Sequence, residues 1–423
     1  MSPKIICLII FILAYLSFVV LPKKRTILAA SAAILLLITK TISIKEAFFS
    51  VNWNVLGIFV GTLVLADLFI ESRVPAYLAE LIVNKAKNTA WAILFICALT
   101  GFISAFVENV ATVLIIAPIA LALAKKLKIN PTNMMIAIAI SSNLQGTATL
   151  IGDPPSMLLA GFAKLNFLDF FFYKGKPSIF FAVQIGALAS FVVLYFFFKN
   201  YKEKVKILQT EKVQSSVPTF FLLGLILSLA LSSFFDKNFN FLAGLICIIF
   251  AIVGLFWEKF FNKGPILEGL RKLDWDTTIF LMAIFILVGS LSLVGLIEDI
   301  SIFLSKIVGK NVFLGYSFLV FSAVFFSAFV DNVPFLAAML PVAISLSEKL
   351  QVPPYLFLFG LLIGASLGGN ITPIGASANI VGCGLLKKEG YLVKFKDFVK
   401  IGLPFTMVAV TSAYLFVWFI WKS

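Results

Sequence analysis

Apolar residues run in long, nearly unbroken stretches along the whole chain, divided by short polar turns. Ten of them read as single crossings of a bilayer: 5–21, 27–42, 52–70, 132–162, 178–198, 218–235, 241–257, 276–296, 354–386 and 402–421. A hydrocarbon core of roughly 30 Å takes about 20 apolar residues of helix. Runs such as 5–21 and 220–235 lack the polar–apolar alternation of membrane barrel strands, so the pattern predicts an all-α polytopic membrane protein. Two further stretches, 90–124 and 312–347, are interrupted near their middles by a carboxylate followed by Asn: Glu108-Asn109 and Asp331-Asn332. Each is expected to be a re-entrant hairpin that enters the membrane and returns to the same side.

Comparison of the chain with itself shows an internal repeat. Phe106-Val107-Glu108-Asn109-Val110 matches Phe329-Val330-Asp331-Asn332-Val333 at an offset of 223. The same offset pairs Pro118 with Pro341, Gly146 with Gly369, Thr149 with Thr372, Ile151 with Ile374 and Gly152 with Gly375, and an offset of 222 pairs Trp53 with Trp275. The expected organisation is a first repeat over 1–198, a basic cytoplasmic linker over 199–216 and a second repeat over 217–423. Each repeat carries one hairpin and one broken helix, the broken helices lying at about 132–162 and 354–386.

Composition agrees with a lipid-covered surface. The chain is 61% hydrophobic and 13% charged, with 47 Phe and a mean hydropathy of +1.07, whereas a soluble domain carries about 25% charged residues. The net charge of +14 would suggest nucleic acid in a soluble protein. Here most of the 34 basic residues gather in alternate loops, and with the loop at Lys23-Lys24-Arg25 taken as cytoplasmic they follow the positive-inside rule, provided that each hairpin is non-crossing. Both termini then lie outside the cytoplasm, the two repeats have opposite orientation, and the membrane is of the inner, cytoplasmic type. The first segment has no small-residue cleavage site and is expected to stay as a helix. Nucleic acid is not an expected partner; the bilayer is. There is no histidine, so a proton-linked step would fall to carboxylates. Cys7, Cys97, Cys247 and Cys383 form no CxxC and suggest neither disulfide nor zinc.

A carboxylate at a helix centre in a bilayer costs about 2.5–3.5 kcal/mol on insertion scales. Glu108 and Asp331 are therefore read either as ion ligands, together with Asn109 and Asn332, or as caps of the second hairpin helices. A possible sodium site is placed at these four residues. The second constellation is Ser141 to Ser156, which holds Asn143, Gly146, Thr147, Thr149 and Asp153. Its counterpart is Gly364 to Asn379, which holds Gly369, Asn370, Thr372, Ser377 and Asn379. Gly and Pro break the helix there and small polar residues line the break. Unwound backbone is tolerated at that depth only where buried or facing a polar cavity. Close helix packing through small residues is the competing reading. Thr112 joins the candidate ligands. Asp67 is read as part of a polar path or as lying near the headgroups. Glu71, Arg73 and Glu80 are expected on a short amphipathic interfacial helix, and Trp53 and Trp275 at helix ends at the interface. No basic residue falls within either constellation, so the residues alone do not call for an anionic cargo.

These segments resemble the ion transporter superfamily, in the branch of arsenite permeases, sodium/proton antiporters, citrate-transporter-like proteins and the P protein. The likeness rests on FVENVATVLIIAP and FVDNVPFLAAMLP at the hairpins, and on SSNLQGTATLIGDPPS and GGNITPIGASANI at the broken helices. It implies a scaffold part and a transport part that moves like an elevator, and a homodimer. Dicarboxylate-carrying relatives have Ser-Asn-Thr at the tips. Glu108-Asn109-Val110 and Asp331-Asn332-Val333 keep only the Asn, which turns the expectation towards antiporter-like members. The expected activity is secondary transport of a small ion coupled to sodium or protons, with no other cofactor. Arsenite efflux is the alternative within the class and an ion channel the alternative outside it. A hydrolase is disfavoured by the lack of histidine and of any nucleophile–base pair.

Overall fold

The computed structural model describes residues 2–204, 211–262, 269–271 and 273–422. The chain is helical almost throughout. The first half comprises α1 (Pro3–Val20), α2 (Arg25–Ile38), α3 (Ile44–Ser50), α4 (Trp53–Glu71), α5 (Val74–Lys85), α6 (Thr89–Ser104), α7 (Asn109–Leu127), α8 (Thr132–Gly146), α9 (Pro154–Ala163) and α10 (Ile179–Phe198). The second comprises α11 (Val217–Ser232), α12 (Leu242–Trp257), α13 (Trp275–Leu293), α14 (Leu296–Val308), α15 (Val312–Ser327), α16 (Asn332–Lys349), α17 (Tyr355–Gly368), α18 (Ser377–Lys388) and α19 (Phe395–Trp421). A two-stranded turn, Phe172–Tyr173 with Lys176–Pro177, joins α9 to α10. Among the described residues seven helices are long and apolar enough to cross a membrane, or eight if the α14–α15 pair, bent by 118°, is one span. This is fewer than the apolar stretches because breaks divide several of those stretches into shorter helices.

Helix starts are set by local chemistry that recurs between the halves. Asn52 caps α4 by accepting from the Val55 N–H, and Asp274 caps α13 by accepting from the Thr277 N–H. Asn88 caps α6 and Asn311 caps α15 in the same way. Each bond satisfies one of the N–H groups that a helix start leaves without an intrahelical partner. Trp53 and Trp275 stand half-exposed at the first positions of α4 and α13, and each indole donates to the carbonyl five residues back, Phe48 or Leu270.

Packing also follows the repeat. α4 lies on α12 and α13 on α2; α6 lies on α8 and α15 on α17; α10 lies on α19. Glycines let the first pair approach closely: a Cβ on Gly57 would meet the backbone of Gly244 at 3.1 Å. The halves interlock, because α7 packs on α18 and α16 on α9. α8 and α17 are buried over most of their length and form the centre, while α1, α11 and α12 turn faces rich in Leu, Ile and Phe outward. Such faces suit lipid, where apolar exposure is not penalised.

Three details differ from the sequence reading. Of Glu71, Arg73 and Glu80, only Glu80 lies within the short helix α5. Glu71 ends α4, and Arg73 sits between the helices in a left-handed conformation (φ 61°). Glu80 is buried and accepts from the Glu211 N–H at 3.0 Å, so it faces protein, not headgroups. The second half contains the matching short helix α14, which the apolar pattern left unassigned. Of the expected linker 199–216, residues 205–210 lie outside the described residues. Its flanks are tied to the α4–α6 corner by the Arg73–Glu211 ion pair (3.0 Å) and by the Thr89 N–H donating to the Glu203 carbonyl (2.8 Å).

Candidate functional site

The two interrupted apolar stretches break at 105–108 and at 328–331, between α6 and α7 and between α15 and α16. At each break the carboxylate caps the helix that follows. Glu108 Oε2 accepts from the Ala111 N–H at 2.9 Å, and Asp331 Oδ1 accepts from the Val333 N–H at 3.0 Å. One oxygen of each carboxylate therefore caps a helix, as the cap reading has it. Thr112 donates to the Glu108 carbonyl at 3.1 Å and stabilises the same first turn.

The helix breaks at 147–153 and 369–376 lie against these turns. Thr149 donates to the Ala105 carbonyl, and Thr372 donates to the Ala328 carbonyl, so the same bond ties break to turn in both halves. Gly152 and Gly375 pack against the carbonyls that end the preceding helices. A Cβ on Gly375 would stand 2.6 Å from the Gly369 carbonyl oxygen and 2.8 Å from that of Ser327. Gly152, Gly369 and Gly375 thus serve close backbone approach, as the small-residue packing reading holds, and the polar residues beside them add a hydrogen-bonded network.

That network crosses between the halves. Asn109 Nδ2 donates to Asn143 Oδ1 (3.1 Å), and Asn143 Nδ2 donates to Asn370 Oδ1 and to the Ser366 carbonyl (both 3.0 Å). Asn370 in turn donates to the Ile140 carbonyl at 3.2 Å. Thr147 donates to the Asn143 carbonyl at 3.4 Å. Asp153 caps α9 through the Ser156 N–H, and Asn379 donates to the Gly369 and Thr372 carbonyls. Asp153 Oδ2 and Asn379 Oδ1 are buried acceptors left without a protein partner. Uncompensated buried acceptors are costly, and a small cation suits them.

Glu108, Asn109, Asp331 and Asn332 line one small cavity of about 50 Å³. One water needs on the order of 10–15 Å³ by this measure, so the space suits a few waters or a bare ion and not a polycarboxylate. Asn143 and Ser377 also line it. Gly146, Thr147, Thr149, Asp153, Gly369, Asn370, Thr372 and Asn379 stand behind it in the breaks. Asp67, by contrast, is half-buried in the span of α4 and is not among the residues lining the cavity.

Three polar residues of the cavity wall escaped the sequence reading: Arg25, Asp274 and Thr277. Arg25, assigned to a cytoplasmic loop with Lys23 and Lys24, is the first residue of α2, and its guanidinium pairs with the free oxygen of Asp331. It also donates to Thr277 Oγ1 at 3.3 Å and lies over the Phe280 ring at 4.9 Å. Thr277 donates to Asp274 Oδ2 at 2.6 Å. No basic residue falls within either constellation, but the fold brings one to the cavity from α2. A run of three basic residues carries no local sign of which one turns inward. Asp274 did leave a signal: it precedes Trp275 where Asn52 precedes Trp53.

A family model described as citrate transporter matches residues 6–263 and, overlapping them, residues 242–423. An uncharacterised transporter of Mycobacterium bovis is 26% identical over 426 aligned residues, which cover 98% of either chain. The P protein of Homo sapiens is 26% identical over 85% of this chain and 52% of its own length. Among solved structures, the Alcanivorax borkumensis YdaH transporter has the same fold, with a TM-score of 0.64 at 14% identity, covering 99% of this chain and 98% of that one.

Proposed function

We propose, because the chain belongs to the citrate transporter family, that this multi-pass membrane transporter is a secondary carrier of a small ion, driven by sodium or protons. The observation that carries the reading is the meeting of two carboxylate–amide pairs, Glu108-Asn109 and Asp331-Asn332, in one cavity. Carboxylates at that depth are costly and mark ion pathways. Carboxylate and amide oxygens suit a hard cation such as sodium, and a carboxylate alone takes a proton. In this reading Asn109, Asn143, Thr147, Asn332, Asn370, Thr372 and Asn379 supply neutral ligands or hold those that do.

Alternating access follows from two inverted halves meeting at the site. The recurrence of caps, breaks and helix pairings between the halves supports that symmetry. An elevator-like movement, both termini outside, an inner-type membrane and a homodimer belong to the same proposal. Arsenite and citrate are both candidate cargoes, citrate only where the cavity opens beyond its present volume.

The test is flux in proteoliposomes under imposed sodium and proton gradients, with citrate, arsenite and sulfate offered in turn. Glu108→Gln and Asp331→Asn should each abolish the dependence of flux on the driving ion while leaving the protein folded. Wild-type coupling in both variants would leave these residues as helix caps alone. No flux of any ion under any gradient would end the carrier reading.

A further inference from the structure

The two tips are near-equivalent in sequence but not in their partners. Asp331 is paired with Arg25, whereas Glu108 has no basic side chain beside it among the residues that line the cavity. Among the described residues Arg25 is the only Lys or Arg lining that cavity, whose acidic residues are Glu108, Asp274 and Asp331. α12, which packs on α4 as α2 packs on α13, begins Leu242-Ala243-Gly244-Leu245 and has no Lys or Arg in its first turn. The repeat therefore keeps a carboxylate at both tips and places a base at one.

Arg25 is held from behind. Thr277 and the Phe280 ring, both on α13, fix the guanidinium, and α2 packs along α13. Asp331 belongs instead to the turn between α15 and α16, which packs on the central broken helices. The ion pair thus joins the start of α2 to the turn before α16 across the cavity. α18 begins at the same place with Ala376 at its cap position and no side-chain cap, whereas α7, α9 and α16 are each capped by a carboxylate. Its first-turn N–H groups face a cavity that also holds a guanidinium.

We propose that Arg25 is the residue that takes the anionic, oxygen-bearing end of the cargo, and that Asp331 occupies Arg25 as a stand-in while the site is empty. This rests on the carrier reading above and assigns its cargo contact. Guanidinium presents paired donors that match a carboxylate or an inorganic oxyanion, and Asp331 is itself such a carboxylate. When the cargo takes Arg25, Asp331 loses its counter-charge. A carboxylate left unpaired inside the protein is strongly disfavoured, so the exchange proceeds only when a coupling cation takes Asp331. Glu108, with no base to satisfy it, needs a cation of its own. An anion entering alone would leave Glu108 and Asp331 uncompensated, with Asp274 in the same wall. The ion pair therefore couples anion to cation by charge balance. It also closes the cavity to its present small volume, so cargo binding requires the pair to part.

The test uses the purified full chain in detergent, with citrate and inorganic phosphate as separate probes, with and without sodium. Wild type should bind one of them only when sodium is present. Asp331→Asn should bind that probe without sodium and at least tenfold more tightly than sodium-free wild type. Arg25→Gln should lose at least tenfold, and Arg25→Lys should recover part of the loss. Arg25→Gln with Asp331→Asn removes both charges and avoids a lone buried one, so it serves where a single variant fails to fold; it should bind neither probe. Wild-type affinity in Arg25→Gln or in the double variant overturns the assignment, as does failure of both probes to bind wild type and Asp331→Asn. Cation-driven flux by wild type that persists despite such a result leaves the carrier reading standing, and only its loss removes that reading.

Discussion

Asp331 caps a helix with one oxygen and pairs with Arg25 through the other, Glu108 caps a helix with one, and the neighbouring residues show why substitution there is severe. The amide of Asn143 serves Asn109, Asn370 and the Ser366 carbonyl at once. Asn143→Ala would leave several buried polar groups unpaired, each costing about 1–3 kcal/mol. Its melting temperature in detergent should fall clearly, whereas Asn143→Asp would restore only the acceptor half. Gly375→Ala should be similarly damaging, by about 1–3 kcal/mol of overpacking, because its Cβ would press on two backbone carbonyls with no side chain free to yield. At this scale much was legible beforehand. Carboxylates, amides and glycines inside apolar stretches are local anomalies. Arg25 was not legible, since a base at the edge of an apolar run looks the same whether it faces headgroups or a carboxylate 306 residues away.

Several helices of this chain, among them α4, α6, α7, α9, α13, α15 and α16, start at a capping side chain. Asn88 and Asn311 hold equivalent starts, so Asn88→Ala and Asn311→Ala should each cost about 1 kcal/mol, read as matching falls in thermal stability. A marked difference between them would show that surrounding contacts, not the caps, hold these helix starts. The loop between α9 and α10 carries a pH-sensitive group. Burial pushes the Asp169 carboxyl up to about 6, against the lowering effect of the Asn166 N–H that it accepts. The folded state then holds this proton more tightly than the unfolded one, so the group's contribution is present below about pH 4 and is lost as pH rises through about 6. Asp169→Asn should match wild type at pH 4 and be the more stable of the two at pH 7 in paired melts. The helix α14 was missed because its polar face, with Glu298, Asp299 and Lys306, breaks the apolar run that marks a spanning helix. Amphipathic helices at the interface carry half the apolar signal of a span.

The molecule as a whole is two similar halves that exchange contacts, α7 on α18 and α16 on α9, so neither half completes its own site. The arrangement across the membrane is testable in intact cells. With native cysteines replaced, Ser2→Cys and Lys422→Cys should react with an impermeant maleimide from outside, and Lys202→Cys only after permeabilisation. The reverse pattern would invert the topology and with it the side from which each hairpin enters.

Apolar run length, the places where runs break and the repetition of carboxylate–Asn at the breaks are local properties, written in consecutive residues. The sequence alone therefore determined the helical membrane class, the breaks and most of the polar residues that line the cavity. The partners of those residues are set by helices packing side by side, over distances along the chain that no local pattern encodes. Only the tertiary structure decided that Asn143 joins both halves, that Asp274 and Thr277 reach the cavity, and that one of two similar tips is held by Arg25. The physical reason is that breaking a helix is settled within a few residues, whereas pairing a buried charge depends on what the whole fold brings beside it.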